Sequence, residues 1–235
     1  MILHRNPSAL GRRGYDTVLD RGRPERFGPS FRVRADQGIT VATGVSQWND
    51  LSGNGRNLTQ GTGAAQPLFV ASATNGKPAV RFDGTDDLLA TGAYTRNQPV
   101  TVVLSYKSVT ITVAHDYIFS GLTDDTLAFI SDATPQHYMY SGASGVLKAG
   151  SLADGVYARV RCVFNTTSSS VAANGSEEDT GNVGASNGSG IRIGGLASSR
   201  WANFELAELV EYQRVLSTSE LMRLEGYLRA WFGTA

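Results

Sequence analysis

VSQWNDLSGNGRNLTQGTGAAQPLFVASATNGKPAVRFDGTDDLL, residues Val45 to Leu89, carries the pattern around which the chain is organised. Its apolar anchors are Trp48 and the Val80/Phe82 pair. Between and after them lie knots of Asp, Asn and Gly, residues that tolerate positive φ or hydrogen-bond their own backbone. The stretch therefore predicts short strands joined by sharp, ordered reversals, with Trp48 and Phe82 entering a core and the DGTDD turn fixing strand register.

On its N-terminal side, Phe31 to Arg34 (FRVR) alternates apolar and charged residues, the period of a half-buried strand. Val45–Leu51 reads as the next strand. On its C-terminal side come strand-like runs at Val100–Tyr106, Asp116–Ser120, Thr126–Ile130 and His137–Tyr140. Val156–Asn165 alternates cleanly: Val156, Ala158, Val160, Cys162 and Phe164 point one way, Tyr157, Arg159, Arg161 and Val163 the other. Ser168–Ala173 pairs with it, Asn174-Gly175 is a two-residue hairpin signal, and Ile191–Ile193 and Phe204–Tyr212 complete the set. Many short strands with regular turn signals argue for an antiparallel sandwich. One helix is specified. Ser217 to Glu220 (STSE) is a capping box, Leu221, Leu224, Leu228 and Trp231 recur at helical spacing, and Gly233 ends it. Its apolar stripe is expected against a sheet edge or end.

The chain has 235 residues and one cysteine, so a sizeable core is available without a disulfide framework. No apolar run approaches the roughly 18 residues needed to span a bilayer, which predicts no membrane insertion. MILHRNPSALGRRGYD holds no signal-peptide apolar core, which predicts no classical secretion. Formal neutrality hides an asymmetry: residues 1–34 carry eight Arg against three acids, +5, and the remainder carries −5. Residues 1–30, punctuated by Pro7, Pro24 and Pro29, read as an extended docking arm with Arg5, Arg12, Arg13, Arg21, Arg23 and Arg26 as its contact residues, ahead of a second unit over 31–235. A short turn of helix is expected near Tyr15–Leu19.

FRVRADQGI, VSQWNDLSGNGRNLTQ, QPLFV, NGKPAVRFDGTDDLL and FELAELVEYQRVLSTSELMRLEGYLRAWFG, in this order, resemble the concanavalin A-like lectin/glucanase superfamily in its laminin-G-like jelly-roll branch. The resemblance runs from about Phe31 to Gly233, densest at the ends and weakest between Thr91 and Gly190. It implies two packed antiparallel sheets, an all-β jelly-roll sandwich with one C-terminal α-helix, its last strand and helix returning beside the first strands. It also implies a possible glycosidase chemistry, for glucanases of this superfamily carry carboxylates at i, i+2 and i+4 of one strand. Here Glu205, Glu208 and Glu211 are spaced by three. On a regular strand that sends Glu208 to the opposite face, and Glu205 and Glu211 lie roughly 20 Å apart. Paired glycosidase carboxyls need about 5–9.5 Å, so no catalytic residue is assigned.

Glu208 would share a face with Phe204, Leu206, Val210 and Tyr212, and a buried carboxylate needs a partner. Arg81 is the candidate for a structural ion pair; the alternative is a bulge that turns Glu208 to water. Asp83, Asp86 and Asp87, with Asp50 and Asn54 near, could supply oxygens to Ca²⁺; the competing reading is turn capping, and no other cofactor is implied. Cys162 on an apolar strand face reads as a small hydrophobe. His4, His115 and His137 have no metal-ligand spacing. For a glycan, the available aromatic platform residues are Tyr94, Tyr138, Tyr140 and Trp201. No phosphate-binding glycine motif is present, and the arm lacks the aromatic interleaving of a nucleic-acid binder. These readings lead to a non-catalytic structural or binding protein. The expected setting is a tailed-phage virion, with the arm docked on other virion proteins and the jelly roll displayed outward, as a homo-oligomer or bound to a lattice, in contact with host-surface glycans. The alternatives are a carbohydrate-binding module or adhesin, extracellular by a non-classical route, and, third, a glycoside hydrolase.

Overall fold

The computed structural model describes residues 18–110, 116–124, 126–131, 136–142 and 147–234. In chain order its strands are β1 (Phe31–Arg34), β2 (Ile39–Val41), β3 (Val45–Trp48), β4 (Leu58–Thr59), β5 (Leu68–Thr74), β6 (Lys77–Asp83), β7 (Leu89–Ala90), β8 (Thr95–Arg96), β9 (Val100–Thr110), β10 (Asp116–Ser120), β11 (Ala128–Ser131), β12 (Gln136–Tyr140), β13 (Leu147–Ser151), β14 (Tyr157–Phe164), β15 (Ser169–Ala173), β16 (Ser176–Gly181), β17 (Gly188–Ser189), β18 (Arg192–Ile193) and β19 (Asn203–Tyr212). Seventeen of them form two large antiparallel sheets, and β8 pairs with β17 apart from these. The first runs β16-β15-β14-β9-β19-β6-β5, with β1 also on β19; the second runs β13-β12-β11-β10-β18-β7-β4-β3-β2. The fold is the jelly-roll sandwich expected from the sequence.

The inner faces meet in one apolar core. Trp48, Val80 and Phe82 are fully buried in it, Phe82 stacks on Phe204 at 4.7 Å, and Trp48 donates its indole N–H to the Arg34 carbonyl at 3.1 Å. The alternation read in β14 holds from Ala158 onward: Ala158, Val160, Cys162 and Phe164 enter the core, whereas Val156, expected with them, lies before the strand begins and is exposed. Asn174 and Gly175 both take positive φ, 53° and 86°, and connect β15 to β16, as a tight two-residue hairpin requires.

Helix α2 (Thr218–Phe232) begins at the Ser217 capping box and ends at Gly233 in the left-handed conformation, φ 64°. It does not sit at a sheet edge or end. Leu221, Leu224, Tyr227, Leu228 and Phe232 lie on the outer face of the first sheet, against Ala79, Val103, Tyr157, Val210 and Tyr212. The sheet's outer positions supply this second apolar layer, so the helix covers the middle of the sheet.

The described part of the expected arm, residues 18–30, is not extended. Helix α1 (Val18–Arg21) and a 3-10 turn at Pro24–Phe27 lie on α2, with Leu19 and Phe27 packed into the helix layer. Tyr212 Oη donates to the Pro24 carbonyl at 3.1 Å and Arg214 to the Phe27 carbonyl at 3.2 Å. A Cβ on Gly22 would stand 2.1 Å from the Arg223 carbonyl oxygen, so only glycine permits this approach.

Candidate functional site

Strand β12 sets the exposed chemistry of the second sheet. His137 and Met139 point into the core and are fully buried, while Tyr138 and Tyr140 are half-buried on the outer face. Directly paired positions across a sheet share a face, and pairing places Ile130 opposite Tyr138 and Tyr117 opposite Ile130. Tyr117 bridges in turn to Trp201, and Lys148 lies opposite Tyr138 on the far side, its ammonium 5.9 Å from the ring. The result is a transverse row, Trp201–Tyr117–Ile130–Tyr138–Lys148, spanning four strand spacings or ~19 Å. Leu196 packs onto it, and Tyr140 begins the next row opposite Ala128. Farther along this face, Arg192 holds Asp124 at 2.6 Å.

Three of the four expected platform residues therefore share one face. Tyr94 does not: it packs against the main core and carries the Arg56 guanidinium 3.9 Å above its ring. Tyr117, Ile130 and Lys148 were missed. Alternation in DYIFS would set Tyr117 beside Phe119, but the register shifts between them and sends Ile118 and Phe119 both into the core, and the neighbour of Tyr117, Trp201, is 84 positions away.

The three glutamates of β19 do not form a cleft. Ala207 is an extra residue in the pairing with β9, because Leu206 pairs with Tyr106 and Glu208 with Ser105. This bulge shifts the alternation. Glu205 and Glu208 share the outer face, and Glu211 is the one that turns inward. Phe204 and Leu206 thus face the core, away from Glu208, correcting the face expected for it. The expected Arg81–Glu208 pair is also not formed. Strand β6 pairs only with residues 203–206 of β19, which puts Arg81 opposite Glu205 at 3.8 Å. Beyond the bulge the neighbour is β1, so Arg32 becomes the partner of Glu208, Nε to Oε1 at 2.7 Å, both essentially without exposure. Tyr227 Oη donates to Glu208 Oε2 at 3.2 Å and accepts from Arg34 at 2.8 Å. Burial pushes the Glu208 carboxyl up, with the Arg32 guanidinium opposing. Burial works against the Arg32 charge, but Glu208, Tyr227 and Glu25 outweigh it and hold its pKa above the ordinary value. Glu205 accepts from Tyr157 Oη at 2.9 Å and from Lys107 at 2.7 Å. Glu211 pairs with Arg96 at 2.5 Å, with no exposure on either side.

Asp83, Asp86 and Asp87 converge, with one carboxylate oxygen from each lying within 4.8 Å of the others. Asp87 accepts from the Asp83 N–H at 2.8 Å, and Asp83 accepts from the Thr85 N–H at 2.8 Å, so the turn-capping role is filled. Burial pushes the Asp87 pKa up to about 6; the Asp83 N–H opposes this, and the charges of Asp83 and Asp86 add to it. One oxygen from each gives three of the 6–8 oxygens Ca²⁺ takes. Asp50, expected nearby, instead organises its own loop, accepting from the N–H groups of Arg32, Ser52 and Arg56.

Of the expected docking arginines, Arg5, Arg12 and Arg13 lie outside the described residues, as do His4 and His115. Arg23 pairs with Asp20 at 3.2 Å, while Arg21 and Arg26 line a groove against α2 together with Arg223. Cys162 is fully buried, and burial pushes its thiol pKa up. Among the described residues no helix is long and apolar enough to cross a membrane.

No protein-family model matches the chain, and no curated protein matches it in sequence. Its fold is similar to that of solved structures. Trypanosoma rangeli sialidase in complex with sialic acid matches over 88% of this chain at 18% identity and TM-score 0.62, and the chain spans 34% of that protein's length. Domain 4 of AbnA, a GH43 extracellular arabinanase from Geobacillus stearothermophilus, in complex with arabinotriose, matches over 84% of this chain and 98% of that domain, at 14% identity and TM-score 0.61. At these identities the likeness is one of fold.

Proposed function

We propose that this chain is a non-catalytic carbohydrate-binding module of the concanavalin A-like, laminin-G-like kind, and that it takes a glycan along the outer face of its second sheet. The observation that carries the reading is the placement of Tyr138 and Tyr140, half-exposed at alternate positions of β12, on one face with the half-exposed Trp201 and supported by the buried Tyr117 between them. Aromatic rings of this kind offer an apolar face to the C–H side of a sugar ring and a polar tip to its hydroxyls. Lys148 and the Arg192–Asp124 pair add charged groups at the margins of the face. An arabinanase domain of the same fold, solved with arabinotriose, supports oligosaccharides as the ligand class to test first.

Catalysis is left out of the reading because Glu208 and Glu211 are fully buried in ion pairs and Glu205 is held by Lys107 and Tyr157. The virion setting leaned on a free arm, and the described half of that arm is committed to the chain's own helix; the binding reading therefore leads. Calorimetric titration against a panel of neutral and sialylated oligosaccharides, arabinotriose included, with and without EDTA, tests it. Binding that falls at least about fivefold in Tyr138→Ala and in Tyr140→Ala is expected, since loss of one stacked ring removes ~1–3 kcal/mol by analogy with base stacking. Binding that survives both substitutions, or no binding to any member of the panel, overturns it.

A further inference from the structure

Among the cavities against α2, two that border the N-terminal segment differ in charge. The first, about 430 Å³, is lined by Asp20, Arg23, Glu25 and Arg34 among others, and each of these already has an opposite charge as partner or neighbour. The second, about 370 Å³, is lined by Arg21, Arg26, Phe27 and Arg223, with no carboxylate among the described residues of its wall. The nearby acids are bound elsewhere: Asp20 to Arg23, Glu25 to Arg32, Glu220 to Arg214. Arg26 and Arg223 have no hydrogen-bond or ion-pair partner among the described residues, and both are exposed.

The groove is also held in place. Arg21 and Arg26 belong to the segment that Gly22 seats directly on the Arg223 carbonyl, and the Tyr212–Pro24 and Arg214–Phe27 hydrogen bonds fix the turn between them. With those contacts in place, the guanidinium groups of Arg26 and Arg223, unpartnered among the described residues, stand at one groove, with Arg21 beside them. A guanidinium fork presents two parallel N–H donors to an oxyanion. A planar carboxylate has only two oxygens and one charge, enough for one fork. A tetrahedral oxyanion has more oxygens and carries up to two charges at neutral pH, which suits several forks around one site.

We propose that Arg26 and Arg223, in the groove they share with Arg21, form a binding site for a tetrahedral oxyanion, a phosphate or sulfate group, on the helix-covered side of the domain. The site is independent of the aromatic face, on the opposite sheet, and stands or falls without it.

The test is titration of the full chain with inorganic phosphate, inorganic sulfate and acetate at matched ionic strength, followed by amide chemical shifts. Saturable binding of phosphate or sulfate is expected, with shifts centred on residues 21–27 and 223, and no saturation with acetate. Whichever of the two binds more tightly assigns the group. Arg26→Gln and Arg223→Gln, both exposed and therefore compatible with folding, should each weaken binding at least tenfold with an unchanged melting temperature, whereas Tyr138→Ala should leave it unaltered. Equal responses to acetate and phosphate would show charge screening only and overturn the proposal, as would wild-type affinity in the Arg26→Gln/Arg223→Gln double variant.

Discussion

Between about pH 4 and pH 6.5 two buried side chains should pull the stability of this domain in opposite directions, and single substitutions should separate them. His137 is fully buried, stacked on Phe129 at 5.6 Å and edge-on to Tyr106 at 5.7 Å. Neither ring nitrogen has a hydrogen-bond partner among the described residues. Burial lowers its pKa to about 4, against a weaker opposite pull from Asp154. The unfolded chain, with an ordinary value of ~6.5, takes up the proton that the folded chain refuses, so stability is lost as pH falls from about 6.5 to about 4. At 1.36 kcal/mol per pK unit the loss amounts to ~3 kcal/mol. Asp87, 5% exposed, has its pKa raised to about 6. Here the folded chain binds the proton that the unfolded chain, at ~3.9, has released, so stability falls as pH rises through the same window, by up to ~3 kcal/mol. The two effects nearly cancel in the wild type. His137→Phe keeps the aromatic stack and removes the first slope; Asp87→Asn keeps the acceptor for the Asp83 N–H and removes the second. Urea midpoints measured from about pH 4.5 to pH 7.5 at constant m-value read both. Relative to the wild type, His137→Phe should gain ~2–3 kcal/mol on acidification, and Asp87→Asn should gain a similar amount on moving to neutral pH. A pH-independent difference for either variant would refute the corresponding assignment. Millimolar calcium supplies a further arm: if the three aspartates take up a divalent cation, it should favour the Asp87 carboxylate and abolish that slope.

Three other perturbations follow from the packing. Glu208→Gln should cost ~3–5 kcal/mol, because it leaves the Arg32 charge buried beside a neutral group; at ~2–4 °C per kcal/mol the melting temperature should drop by about 6–20 °C, measured by calorimetry. A double Arg32→Met/Glu208→Leu variant should recover most of that loss if desolvation is its source. Leu224→Ala should cost ~2–5 kcal/mol by urea unfolding, since Leu224 is fully buried between α2 and the first sheet.

Much of the fold is legible because its signals are local. The capping box at Ser217, the Asn174-Gly175 turn and the alternation of β14 each lie within a few residues, and each holds in the structure. The same is true of half the exposed face: HYMY, read with period two, already says that Tyr138 and Tyr140 point one way. What the sequence does not show are the partners across strands. Trp201 meets Tyr117 only because the chain has returned to that sheet after a long excursion, and no local pattern encodes the encounter. The middle of the chain, where the family resemblance is weakest, supplies most of the aromatic row.

The single residue that misleads a strand reading is Ala207. A regular strand from Asn203 to Tyr212 sets Glu208 opposite Glu205 in face and leaves Arg81 as its natural partner. One extra residue exchanges the roles: it moves Glu208 to the helix side, turns Glu211 into the core, and falls where β6 ends its pairing with β19 and β1 begins. The bulge thus lets one long strand serve two short neighbours, and the charges follow from that division, Arg81 to Glu205 and Arg32 to Glu208. It also explains why the arm folds inward. Arg32 and Arg34 lie on the helix side of β1 with Tyr227 and Glu208, and Arg32 holds Glu25 of the preceding turn, so the basic N-terminal segment is tied into the same charge network that the bulge creates. Part of the +5 charge that reads as a docking signal is thereby spent inside the domain, and Arg26 and Arg223, exposed and without a partner among the described residues, are arginines around which an external anion can be sought.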